Sequence, residues 1–140
     1  RTAMPGMFAM PSPMVFLVDD DVQVLRAYAR LLREHGLATA TFESAEAFLA
    51  QYDASRPGCL VLDVNLPGLN GLALQRRLLE VGPLPIVFLT GYGDVPTTVR
   101  AMKAGATDFL TKPVAGDVLL AAVHAALEQD AAAREESSKD

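Results

Sequence analysis

The sequence predicts an α/β protein: five parallel strands in the order 2-1-3-4-5, doubly wound by helices on both faces. Two observations carry this. Short apolar runs rich in Val, Ile and Phe alternate with segments whose apolar residues recur every three or four positions. The runs VFLV, CLVL and IVFL are also apolar without interruption, as strands buried on both faces must be. Right-handed crossovers between parallel strands place helices on both sides of the sheet. A chain of 140 residues holds one such domain, and five βα units fit the open flavodoxin-like arrangement rather than a closed barrel of eight.

Taken in order, the first strand is MVFLV at 14–18, and the helix after it spaces Leu25, Tyr28 and Leu32 by three or four. Asp21 precedes that helix and suits its N-cap, while Gly36 suits its C-terminus. ATATF at 38–42 is the second strand, followed by a helix on Ala45, Phe48, Leu49 and Tyr52. CLVL at 59–62 is the third strand; Asn70 caps a third helix carrying Leu74 and Leu78. IVFL at 86–89 leads to a fourth helix with Pro96 in its first turn, Val99 and Met102 along it and Gly105 at its end. The last strand is short, at Phe109 and Leu110, and Leu120, Val123 and Leu127 mark the last helix.

The composition, 51% hydrophobic and 21% charged, is that of a folded globular protein. A net charge of −5 gives no general attraction for nucleic-acid phosphates or anionic lipid. No apolar run approaches the roughly 18 residues of a membrane span, and a cytoplasmic location is the expectation. Cys59, the one cysteine, sits inside CLVL and reads as a buried, inert thiol. Residues 1–13, with three of the nine prolines and three of the five methionines, read as a disordered leader or cloning scar. Residues 14–127 form the domain; residues 128–140 are polar beyond Leu127 and read as a fraying helix end running into a linker toward an absent output domain.

The chemistry-bearing residues stand where strands stop. VFLV ends in Asp19, Asp20 and Asp21, CLVL in Asp63, IVFL in Thr90, and the last strand near Lys112. All lie at the carboxyl edge, where open α/β sheets bind ligands, and the order 2-1-3-4-5 sets the first and third strands side by side. Carboxylates crowded in one crevice repel unless a cation compensates. Oxygen donors without His or Cys suit Mg²⁺ or Mn²⁺, and Lys112 and Thr90 supply donors for a phosphoryl group. This is equipment for phosphoryl transfer to a carboxylate.

The segments VDDD, LDVNLPGLNG and TGYGDVPTTVRAMKAGATDFLTKP resemble those of bacterial CheY-like response-regulator receiver domains, the third being most similar to FixJ-type transcriptional regulators. The resemblance implies a domain that takes a phosphoryl group from a sensor histidine kinase, with no enzyme activity beyond Mg²⁺-dependent phosphorylation and dephosphorylation of its own aspartate. It assigns Asp63 as phosphoacceptor, and Asp19, Asp20, Asp63 and the backbone carbonyl of Asn65 as metal ligands. Thr90 becomes the switch hydroxyl, Phe109 the aromatic that turns inward, and Lys112 the cation at the phosphoryl group, aimed back by a cis bond to Pro113. Asn65 and Tyr92 stand at places linked to phosphoryl lifetime, and the small Gly91 keeps access open. Phosphorylation is then expected to reshape the face of the fourth helix, fifth strand and fifth helix, favouring a homodimer and controlling a DNA-binding output domain absent from this chain. Val95 and Met102 are candidates for that interface or for packing on the sheet.

Two alternatives follow from the same residues. A single-domain or hybrid-kinase receiver would signal by protein contacts alone. A haloacid-dehalogenase-type phosphatase would use Asp19 and Asp21, but leaves Asp63 without a role. His35 and His124 have no ligand spacing, and Gly91 and Gly93 lack the rest of a dinucleotide fingerprint.

Overall fold

The computed structural model describes residues 12–138. Most of the leader expected at 1–13 lies outside the described residues. Five strands, β1 (Met14–Val18), β2 (Ala38–Phe42), β3 (Gly58–Leu62), β4 (Ile86–Thr90) and β5 (Asp108–Thr111), alternate with five helices. These are α1 (Val22–Glu34), α2 (Ala45–Gln51), α3 (Gly71–Val81), α4 (Val95–Lys103) and α5 (Gly116–Ser138). Every pairing is parallel and the order is β2-β1-β3-β4-β5, as the sequence predicts.

The alternation of side chains along each strand divides the core into two. Phe16, Val18, Leu60, Leu62, Ile86 and Phe88 face α2, α3 and α4, meeting Phe48, Leu74, Leu78 and Ala101. On the other face Val15, Leu17, Cys59, Val61, Val87 and Leu89 meet Leu25, Ala29 and Leu32 of α1 and Leu119, Val123 and Ala126 of α5. Burial pushes the Cys59 thiol up to about 12, so it has almost no thiolate at neutral pH and is inert in the native fold.

Helix starts follow the sequence signals at α1 and α3, and at α4 the structure adds Asp94 as the cap before Pro96. Asp21 accepts from Gln23 N and Val24 N at 2.9 and 3.4 Å, Asn70 from Ala73 N at 2.9 Å, and Asp94 from Thr97 N at 2.8 Å. Gly36 and Gly105 adopt φ of +81° and +103° just past helix ends, the left-handed stop that lacks a Cβ penalty.

The last helix, α5, continues past Leu127 through Ser138, and polar groups dock it where apolar ones have run out. Asp130 is only 4% exposed and accepts from Gly58 N at 2.9 Å and from Arg134 Nε at 2.7 Å. Arg134 also donates to Ala54 O and Arg56 O at 3.1 and 2.8 Å, so the helix clasps the entry to β3.

Candidate functional site

The carboxyl ends of β1 and β3 lie side by side, with Val18 in register with Leu62. The next residues, Asp19 and Asp63, are 5% and 6% exposed, unusual for carboxylates. Each is aimed by its own backbone: Asp21 N donates to Asp19 Oδ1 at 2.9 Å, and Asn65 N to Asp63 Oδ1 at 3.0 Å. Asp20 is exposed at the rim. One oxygen from each of Asp19, Asp20 and Asp63 falls within 4.8 Å of the others. Lys112 crosses from the end of β5, and its Nζ donates to Asp19 Oδ2 at 2.6 Å and Asp63 Oδ2 at 3.1 Å. The peptide from Lys112 to Pro113 is cis.

The electrostatics follow from that packing. Burial pushes Asp19 above its usual carboxylate range, outweighing the hydrogen bonds from Lys112 and from Asp21 N–H. Burial works against the Lys112 charge, but its bonds to Asp19 and Asp63 overcome it, so the ammonium holds its proton more firmly than a free lysine. A carboxylate with a raised folded-state pKa stabilises the fold below its unfolded value of 3.8, and that contribution is lost as pH rises through the raised pKa. Asp19→Asn is therefore expected to gain in melting temperature relative to the wild type as pH rises from 4 to 7 without divalent cations, a trend set against the constant loss of its contact with Lys112. Thermal melts across that range check it. The surface carboxylates Glu46, Asp53 and Asp94, all held low by hydrogen bonds, are common to both proteins and cancel in the difference.

Thr90 is fully buried at the end of β4, yet its hydroxyl is turned to its own loop, donating to Tyr92 O at 3.1 Å and accepting from Tyr92 N at 3.4 Å. Phe109 is half-buried with its ring 5.6 Å from that of Phe88, and a Cβ on Gly93 would meet it at 2.8 Å. Gly91 has open space around it. The structure thus brings Asp19, Asp20, Asp63 and Lys112 into one cluster and leaves Thr90 and Phe109 outside it, on the adjoining strands β4 and β5.

Asp21 is taken up as the α1 cap, which removes the second carboxylate that a dehalogenase-type site needs. Val95 and Met102 do not pack on the sheet; they are 75% and 41% exposed, alongside Tyr92 and Val99. His35 Nδ1 lies 2.9 Å from Leu31 O, within its own helix. Four contributors escaped sequence reasoning. Glu46 Oε2 accepts from Leu69 N at 3.0 Å, Gln75 is buried and donates to Ala101 O at 2.9 Å, and Asp130 and Arg134 form the clasp. Polar residues on helices carry no periodic signal that separates a buried tie from a solvated face.

The family model for the response regulator receiver domain matches residues 15–124, and the chain belongs to that family. It is 47% identical over 115 residues to the response regulator protein TodT of Pseudomonas putida, covering 81% of this chain and 51% of TodT. It is 40% identical over 116 residues to the transcriptional regulatory protein FixJ of Bradyrhizobium diazoefficiens, covering 82% of this chain and 57% of FixJ. The chain therefore spans about half the length of these curated relatives. Among solved structures, the response regulator StyR superposes with a TM-score of 0.87 at 43% identity, covering 92% of this chain and 66% of StyR. FixJ-N superposes with a TM-score of 0.76 at 41% identity, covering 85% of this chain and 96% of its own. Among the described residues no helix is long and apolar enough to cross a membrane.

Proposed function

We propose that this receiver domain accepts a phosphoryl group on Asp63 from a phosphohistidine of a sensor kinase in the cytoplasm and relays that event to an output domain. The observation that carries the reading is the Lys112 ammonium bridging Asp19 and Asp63 at 2.6 and 3.1 Å beside a third carboxylate. An all-oxygen cluster of this kind fits Mg²⁺ or Mn²⁺, held by Asp19, Asp20, Asp63 and the Asn65 backbone carbonyl. When bound, the ion supplies positive charge to the transferring phosphoryl oxygens.

The chain's own residues do the rest. An Asp63 carboxylate oxygen forms the new O–P bond as the P–N bond to the kinase histidine breaks, and the electron pair of that bond returns to the imidazole. Lys112, fixed before the reaction, offsets charge that builds on a site already holding two other carboxylates. Thr90 exchanges its bond to Tyr92 O for one to a phosphoryl oxygen, and the Phe109 ring moves further in over Gly93. Those shifts act on the α4-β5-α5 face, where Tyr92, Val95, Val99 and Met102 are exposed and suited to a second copy. Residues 128–140 would lead into a DNA-binding output domain, a reading supported by the likeness to the transcriptional regulatory protein FixJ. Moving such a switch from 1:99 to 99:1 takes about 5.5 kcal/mol of differential stabilisation.

The test is intact-mass analysis after incubation with acetyl phosphate. The expected result is one phosphoryl mass gained with Mg²⁺, none without it, and the label mapped to the peptide holding Asp63. A Mg²⁺-independent adduct, or one on another peptide, would refute the assignment.

A further inference from the structure

We infer that Glu46, on α2, is a positioning residue for the phosphoacceptor loop, bracing the turn between Asp63 and α3 so that the Asn65 backbone is presented to the metal. This rests on the receiver reading above.

Residues 63–70 link β3 to α3. Within the loop, Leu66 N donates to Val64 O at 3.2 Å, and Gly71 N closes it by donating to Val64 O at 2.9 Å. The near end is tied to the site, since Asn65 N donates to Asp63 Oδ1 at 3.0 Å. The far end is tied to a different element: Leu69 N donates to Glu46 Oε2 at 3.0 Å, across 23 residues of sequence.

Two features show that the loop is shaped around that carboxylate. Gly68 adopts φ of +73°, and a Cβ there would stand 2.6 Å from Glu46 Oε2, so both the turn and the approach of the oxygen need a residue without a side chain. The Leu69 N–H holds the Glu46 carboxyl below its usual range, consistent with an acceptor that stays ionised. The helix that carries the brace is held in place. Glu46 sits in the first turn of a helix capped by Ser44 Oγ at 3.0 Å from Ala47 N, and Ala45 and Phe48 beside it are fully buried. Glu46 is not one of the three carboxylates whose oxygens lie together, so its effect passes through the backbone rather than through ligation.

Three variants of the full chain test this: Glu46→Ala, Glu46→Gln and Gly68→Ala. The readouts are amide hydrogen exchange of the metal-free protein and the Mg²⁺ dissociation constant by calorimetry. In Glu46→Ala, exchange over 64–70 is expected to speed up several-fold while other peptides keep wild-type rates. Mg²⁺ affinity should fall about three- to tenfold, less than the 10–100-fold typical of a buried outer-shell partner because this tie is exposed. Glu46→Gln keeps an acceptor oxygen for Leu69 N–H and should lie close to wild type on both counts; Gly68→Ala should resemble Glu46→Ala. Wild-type exchange and affinity in Glu46→Ala would overturn the inference. So would acceleration spread over the whole domain, or a loss in Glu46→Gln equal to that in Glu46→Ala, which would make charge and not the brace the cause. If the wild type itself binds no Mg²⁺, the receiver reading fails, and the exchange data still decide whether Glu46 braces the loop.

Discussion

Asp63→Asn is expected to take up no phosphoryl group from acetyl phosphate and Mg²⁺, a fall of at least about 10³-fold in rate, while remaining folded. An amide lacks the negative oxygen that attacks phosphorus, and it removes one of the three carboxylates that would hold the metal. The fold should survive because an asparagine oxygen can still accept from Asn65 N, and Lys112 keeps its 2.6 Å contact with Asp19. One of three mutually repelling charges also disappears, so thermal melting without divalent cations should be at or above that of the wild type. Intact mass and a melting curve on the same preparation check both halves. An adduct retained by the variant would place the acceptor elsewhere, with Asp19 first in line.

The second large effect is steric. A Cβ at Gly71 would stand 2.3 Å from Asp63 O and 2.8 Å from Val64 Cα, and one at Gly58 would stand 2.0 Å from Met14 O. These obstacles are backbone, so no rotamer change relieves them. Both Gly71→Ala and Gly58→Ala should lose at least the ~1–3 kcal/mol typical of overpacking. They differ in what else they disturb, because Gly71 presses on the acceptor residue and Gly58 lies at the opposite end of β3. Among the molecules that remain folded, Gly58→Ala should accept phosphoryl groups at close to the wild-type rate, and Gly71→Ala more than tenfold slower. Denaturant melts and single-turnover uptake below the melting range separate the two effects. Equal uptake by both variants would contradict the role given to close packing of α3 on the acceptor loop.

Much of this architecture was legible in the sequence, because its signals are local and act through the backbone. The parallel sheet covered on both faces followed from uninterrupted apolar runs and handed crossovers, the strand order from the fit of five βα units to the flavodoxin-like arrangement, and the Asp21 and Asn70 caps from residue type and position. Asp19, Asp20, Asp63 and Lys112 could be placed at one edge because strand ends are readable; the convergence of the carboxylates needs only the topology, whereas Lys112 reaches them with its side chain from β5, two strands beyond β3. What stayed hidden depends on pairs far apart in sequence. Glu46 with Leu69, Gln75 with Ala101 and Asp130 with Gly58 join a helix side chain to backbone 23, 26 and 72 residues away. Nothing in the spacing of Glu, Gln or Asp on a helix distinguishes such a tie from a solvated surface. The Phe109 ring position was likewise hidden, since it depends on room left by Gly93 on another segment.

The clasp between α5 and the start of β3 bears on where this domain can be cut. The apolar pattern stops at Leu127, but a chain cut there would lose Asp130 and leave the Gly58 N–H buried without its acceptor. The carbonyls of Ala54 and Arg56 would lose Arg134 at the same stroke. The smallest portable version of the domain therefore extends past Arg134, and a partner module fused beyond it would inherit the heading of a helix already fastened to the sheet.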